Sequence, residues 1–159
     1  MDFRSDNVTG ASPEVMAALA AANSGSAASY GADDITQGLV KAFARLFETD
    51  RLAVFPVATG TAANALALAQ LVPPHGAVCC HRNAHIEEDE CGAPEFYSGG
   101  AKLMLLDGAG GKVAAGDLAA RLAAYPFGVE HHVQPAAVSL SQAAEAGIVY
   151  RPGDIAAIA

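Results

Sequence analysis

Two stretches of the chain concentrate residues able to do chemistry: Thr59-Gly60-Thr61-Ala62-Ala63-Asn64, and His81-Arg82-Asn83-Ala84-His85-Ile86-Glu87-Glu88-Asp89-Glu90-Cys91. In the first, the backbone N–H groups of a glycine turn opening a helix, with two threonine hydroxyls beside them, suit a phosphate monoester. The pattern is neither G-x-G-x-x-G nor G-x-x-x-x-G-K-[ST], so dinucleotides and nucleoside triphosphates are not the favoured ligands. A plain strand-to-helix turn with Gly60 as a geometric necessity explains the same residues. The second stretch offers imidazoles four residues apart, carboxylates and a thiol. His81 to His85 lacks the glutamate of H-E-x-x-H and the clean spacing of zinc sites, so no metal ligands are assigned. Metal-dependent hydrolysis at His81 and His85 is kept as an alternative that bound zinc would reveal. A solvated helix face accounts equally for Glu87 to Glu90.

Two further places carry polar groups. His131 and His132 precede an apolar run, and either could be a general base near neutral pH, or merely solvated. Ser5 and Asp6, before the first helix signal, have capping or turn chemistry as their plain explanation. No G-x-S-x-G elbow is present for serine hydrolysis, and Cys91 is a thiolate candidate by sequence proximity alone.

These residues need elements to hold them. Ser12-Pro13-Glu14 is a helix start, with a hydroxyl cap, proline in the first turn and an acid at the positive end of the dipole; this helix should reach about Ala22. A second helix is expected from Thr36 to about Glu48, with Leu39, Val40, Phe43, Leu46 and Phe47 as one buried stripe. Leu52 to Val57 reads as a strand buried on both faces, imperfect at Pro56. The Thr59 loop then opens a helix that Pro73-Pro74 stops. Further strands are expected at Ala77, Lys102 and Ala136, with a helix from about Asp117 to Tyr125. Strands alternating with helices, without tight hairpins, imply a parallel α/β sheet covered on both faces. His85 then lies beyond a strand's C-terminal end, where open α/β sheets bind ligands.

Composition bounds the rest. The chain has 159 residues, 52% hydrophobic and 16% charged, which suits one globular domain and argues against disorder. Its net charge of -8 supplies no basic field for nucleic acid, so any anion must be met by local amides or placed cations. No apolar run approaches the roughly 20 residues of a membrane span. Three unevenly placed cysteines fit a reducing compartment, and the chain reads as cytoplasmic. The pattern ends in a short helix after Arg151-Pro152-Gly153-Asp154 with no following strand, as expected of the first half of something longer.

MDFRSDNVTG, SYGADD, TGTAANALALAQL, HRNAHIEEDECGAPEFYSGGAKLM and SLSQAAEAGIVYRPGDIAAI, in that order, resemble the N-terminal part of the low-specificity L-threonine aldolases. These belong to the beta-eliminating lyase group of fold-type I pyridoxal phosphate enzymes. The resemblance implies an aspartate-aminotransferase-like large domain, with residues 1–35 as N-terminal helix and interface segment, 36–159 as alternating α/β, and no C-terminal small domain. It implies pyridoxal 5'-phosphate as cofactor. Thr59, Gly60 and Thr61 would take its phosphate and His85 would stack on its pyridine ring. Ser5 would help to hold the substrate carboxylate, His131 would sit near the substrate hydroxyl, and Tyr30 and Asp33 match a loop near the subunit interface. Ala32 and Ala144 stand where the family often has aspartate and threonine.

The implied reaction is retro-aldol cleavage of L-threonine, L-allo-threonine or a related β-hydroxy-α-amino acid to glycine and an aldehyde, in a homodimer or homotetramer. The family's aspartate for the pyridine nitrogen, its carboxylate-binding arginine and its cofactor-bearing lysine follow the helix in which this sequence stops. Lys41, Lys102 and Lys112 do not resemble that lysine. The expectation is therefore a truncated aldolase, inactive by itself; the alternative is a non-catalytic binding or structural subunit derived from the same fold.

Overall fold

The computed structural model describes residues 8–159. Ser5 lies outside them. The chain separates into two units, Met1–Pro56 and Val57–Ala159.

The first unit contributes α1 (Pro13–Ala22) and α2 (Asp34–Leu46). Ser12 caps α1 as its sequence predicts, accepting from the Val15 N–H at 3.4 Å, and Pro13 occupies the first turn. Helix α2 begins two residues before the expected Thr36 because Asp33 caps it. The carboxylate accepts the Thr36 N–H at 2.8 Å and the Thr36 hydroxyl at 2.7 Å. The apolar stripe of α2 is present, with Phe43 and Phe47 stacked at 5.9 Å, but it is not buried: Leu46 and Phe47 are exposed. Neither α1 nor α2 has a buried residue.

The second unit is built on α3 (Gly60–Leu71), β1 (Gly76–His81), α4 (His85–Glu88), α5 (Ala93–Tyr97), β2 (Lys102–Leu106), α6 (Ala115–Ala123), β3 (Gln134–Val138) and α7 (Pro152–Ile158). The three strands form a parallel sheet in the order β2-β1-β3, with Ala77 opposite Lys102 and Gly76 opposite Gln134. Strand β1 is central and wholly buried. Its side chains alternate between two cores, as the two-residue period requires. Val78 and Cys80 pack with Leu68, Val72, Ile86 and Leu103 beneath α3, whereas Ala77 and Cys79 pack with Met104, Leu106, Val113 and Leu118 beneath α6. A parallel sheet covered on both faces is the predicted α/β class.

Two expectations need correction. Leu52 to Val57 forms no strand: the segment is irregular, and Phe55 is exposed. Pro56 has no N–H to give a ladder, and the sheet of the described residues consists of β1, β2 and β3. Strand β3 begins at Gln134 rather than Ala136, because the Gln134 N–H reaches the His75 carbonyl at 3.2 Å and opens the pairing earlier.

The terminal helix α7, too short to stand alone, is tied down by side chains. Lys112 Nζ meets Asp154 at 2.8 Å, the Val113 N–H donates to the Tyr150 hydroxyl at 2.6 Å, and Ile158 packs against the core under α6. No helix among the described residues is long and apolar enough to cross a membrane.

Candidate functional site

Helix α3 starts on Thr59, whose extended backbone and hydroxyl make it the N-cap: Oγ1 accepts the Ala62 N–H at 3.1 Å. The cap satisfies one of the first-turn donors, and the amides of Gly60 and Thr61 precede the first turn's hydrogen bonds, at the positive end of the dipole. Gly60 lies outside the left-handed region, and a Cβ added there would meet nothing within 4 Å. The turn itself therefore does not require glycine. A bare amide opening onto free space is what a closely approaching anion needs. Beside it a cavity of about 230 Å³ is lined by Thr59, Thr61, Ala65, Leu66, Ala93 and Tyr97. A groove of about 450 Å³ between β3 and α7, lined by Pro135, Ala137, Leu140, Ile155 and Ile158 among others, is apolar and offers nothing to a phosphate.

The His81 stretch turns off the C-terminal end of β1. His81 itself is buried and fully engaged: Nδ1 accepts the Asn83 N–H at 3.1 Å and Nε2 donates to the Gly108 carbonyl at 3.2 Å. Those bonds fix its tautomer and leave neither nitrogen for a ligand. Ala84 starts α4, and buried Ile86 anchors this single turn to the core. His85 is thereby held at the surface, its side chain 46% exposed, with Nδ1 2.9 Å from Glu90 Oε1. Glu90 is completely buried, and the same oxygen accepts the Asn64 amide of α3 at 2.7 Å. Asn64 sits four residues after Gly60, so it rises from the same face of α3 as the open amide. The hydrogen bond from Glu90 raises the pKa of His85 above its ordinary 6.5; partial burial opposes this, and the charges of Glu90, Glu145 and Asp89 add to the rise.

Sequence reasoning named Thr59, Gly60, Thr61 and His85 but missed Glu90 and Asn64. Glu90 was read as one of several solvated acids, and only its burial distinguishes it from Glu87 and Glu88. Asn64 closes the Thr59 motif without a role assigned to it there, and its partner is 26 residues away.

His131 is not brought to this place. Strand β3 runs parallel to β1, so the loop before it lies at the N-terminal edge of the sheet, opposite His85. There His131 packs edge-to-face on His132 at 4.6 Å, and His132 tilts against Tyr125. Tyr30 belongs to the first unit, fully exposed with φ +59, and Asp33 beside it serves as the cap of α2. Among the described residues no group of three His, Cys, Asp or Glu side chains is placed to hold a metal ion. Lys102 opens β2 at the sheet edge opposite His85, and Lys112 is paired with Asp154.

The sequence model of the beta-eliminating lyases matches residues 2–159. The chain belongs to that family. It is 46% identical over 156 residues to the low specificity L-threonine aldolase of Pseudomonas aeruginosa, and 44% identical to that of a Pseudomonas sp.. Each alignment covers 98% of this chain and 44% of the relative, so the chain spans less than half the length of these two lyases. Its fold is similar to the solved structure of Leishmania major threonine aldolase, with a TM-score of 0.84 at 26% identity, over 92% of this chain and 42% of that one. Family membership and the α/β fold with its parallel sheet agree with the reading of the sequence.

Proposed function

We propose that this chain holds pyridoxal 5'-phosphate between the N-terminus of α3 and His85, and serves a lyase that cleaves β-hydroxy-α-amino acids such as L-threonine to glycine and an aldehyde. The observation that carries the reading is the bond of Asn64 and His85 to one carboxylate oxygen of Glu90, which ties the imidazole to α3 one turn beyond the open amides of Gly60 and Thr61. The donors fit the group: two backbone N–H and the Thr61 hydroxyl for a phosphate dianion, and an exposed aromatic ring for a pyridine face. The names of the aldolases similar to this chain favour a β-hydroxy amino acid as substrate.

Each residue then has a task. Gly60 and Thr61 receive the phosphate through their N–H groups, with no side chain at Gly60 to obstruct it. His85 uses its Nδ1 proton on Glu90, which leaves Nε2 as the acceptor able to take the proton of the substrate's β-hydroxyl while the Cα–Cβ bond breaks. Bound here, pyridoxal phosphate would supply the sink for that bond's electron pair. The Thr59 cap keeps the first turn of α3 rigid. His131, at the other edge of the sheet, has no part in this step within one chain.

Titration of the purified protein with pyridoxal phosphate, with unphosphorylated pyridoxal as comparator, tests the site. Saturable binding that needs the phosphate is expected, and equal binding of the two refutes the cradle. Release of acetaldehyde from L-threonine, followed by its reduction with an alcohol dehydrogenase, tests the reaction.

A further inference from the structure

We infer that Glu90, clamped by Asn64, is a positioning residue for His85, fixing which ring nitrogen carries the proton and how the ring stands over the cofactor site. The inference rests on the reading of His85 above, and adds to it a residue of the opposite charge that never touches the ligand.

Three observations lead to it. First, Glu90 presents a completely buried side chain in an acidic chain, although a lone carboxylate is expensive to remove from water. Both of its described donors converge on Oε1, Asn64 Nδ2 at 2.7 Å and His85 Nδ1 at 2.9 Å, while Oε2 has no partner. With a neutral amide on one side, His85 is the one titratable partner described at hydrogen-bond distance, and the carboxylate oxygen holds the ring's proton on Nδ1. Second, the backbone is bent to make the contact. Cys91 is held at φ +54 and Gly92 at φ +71, two successive left-handed residues directly after Glu90. A non-glycine residue there costs on the order of 1 kcal/mol, and such outliers gather where geometry serves a site. Third, the two ends of the clamp belong to different parts of the site. Asn64 stands one turn above the open amides of α3, and His85 opens α4. The carboxylate therefore fixes the ring relative to the phosphate cradle as well as orienting it.

The other charged groups influencing His85 are Asp89, in the next turn of its own segment, and Glu145, from the loop after β3; both act through space and neither bonds it. Substituting Glu90 therefore removes the only bonded partner described for Nδ1.

The test is an NMR titration of the His85 imidazole in the purified protein without cofactor, comparing wild type with Glu90→Gln, Asn64→Leu and the control Glu88→Gln. Glutamine keeps the shape and an acceptor oxygen but removes the charge, so the His85 midpoint should fall and its two neutral tautomers should mix. Asn64→Leu removes the competing donor from Oε1, so the midpoint should rise. Glu88→Gln should leave it in place, because that acid is exposed and does not bond the ring. A His85 titration unchanged in Glu90→Gln, in a protein that keeps its far-ultraviolet spectrum, overturns the inference. If Glu90→Gln does not fold, Asn64→Leu at an exposed position decides, and a midpoint that stays or falls overturns it. Pyridoxal phosphate binding to the wild type, measured separately, tests the cofactor reading alone.

Discussion

Replacing Gly60 by alanine should make the protein more stable and its proposed site weaker, and the two opposite signs arise from one methyl group. Position 60 is the first residue of α3, its φ is not left-handed, and a Cβ there meets nothing within 4 Å. The substitution therefore adds no clash and removes unfolded-chain entropy, a gain of about 0.5 to 1 kcal/mol. For a chain of this size that is a rise in melting temperature of roughly 1 to 4 °C. The same methyl projects into the space from which a phosphate would approach the Gly60 and Thr61 amides. Losing one hydrogen bond to a charged group costs about 1.5 to 3 kcal/mol, or roughly ten- to a hundredfold in dissociation constant. Thermal melts without cofactor, paired with pyridoxal phosphate titrations of both proteins, measure both quantities. A fall in melting temperature would show that the turn needs glycine for its own geometry. Unchanged affinity would mean that nothing docks at this helix terminus.

Four other outcomes follow from the same structure. Thr59→Ala removes the α3 cap and should lower stability by about 1 kcal/mol, read as a shift in the urea midpoint. Gly108→Ala places a Cβ on the Lys112 carbonyl oxygen, and should reduce soluble yield or melting temperature far more than Gly116→Ala in α6, where the backbone is not left-handed and nothing lies within 4 Å. Of the three thiols only exposed Cys91 should be alkylated at mildly alkaline pH in the folded protein. Cys79 and Cys80 are buried, and burial, with smaller contributions from Glu87, Cys79 and Glu95, pushes Cys80 up to about 12; mass spectrometry showing early labelling of either would contradict the core packing. Asp154 is held below its ordinary 3.8 by the Lys112 ammonium, so its stabilising effect is present above that pH and lost as pH falls through the lowered value. Lys112→Met should remove that portion of the acid sensitivity in melts taken across the acidic range.

Much of the fold was legible because it is local. Ser12-Pro13-Glu14, the Thr59 loop and the Pro73-Pro74 stop each define a helix end by chemistry within four residues, and α1 and α3 lie where those signals put them. The apolar run at β1 is buried throughout, as a central parallel strand requires. Leu52 to Val57 misled because an apolar run specifies only burial somewhere, whereas a strand also needs a neighbour with free backbone groups. The stripe of α2 misled in the same way: its period is correct, but a period does not say what covers it. At the start of α2 a local signal is present in the sequence, the Asp33 carboxylate three residues before Thr36, and the cap it makes starts the helix at Asp34.

The candidate site was legible only in its backbone half. A glycine turn before a helix is visible in six consecutive residues as a candidate anion cradle, and the end of a parallel strand declares where His85 stands. What converts these two features into one site is Glu90, and nothing in its neighbourhood marks it. Four consecutive acids from Glu87 to Glu90 have the same formal charge, two in α4 and two just after it, yet only the last, directly before two left-handed residues, turns inward. Once inside, it needs donors, and these come from His85, five residues back, and from Asn64, 26 residues back on another helix. A burial pattern decided by tertiary packing cannot be read from a run of identical charges. The consequence bears on the net charge of -8 as well. One of those negative charges lies inside the unit, bonded to the imidazole beside an electropositive helix terminus. The acidity of the whole chain and the proposed anion preference of its site are therefore compatible, because the two act over different distances: the surface charges are screened within about 10 Å at 0.1 M salt, while the buried carboxylate and the α3 amides act at hydrogen-bond range.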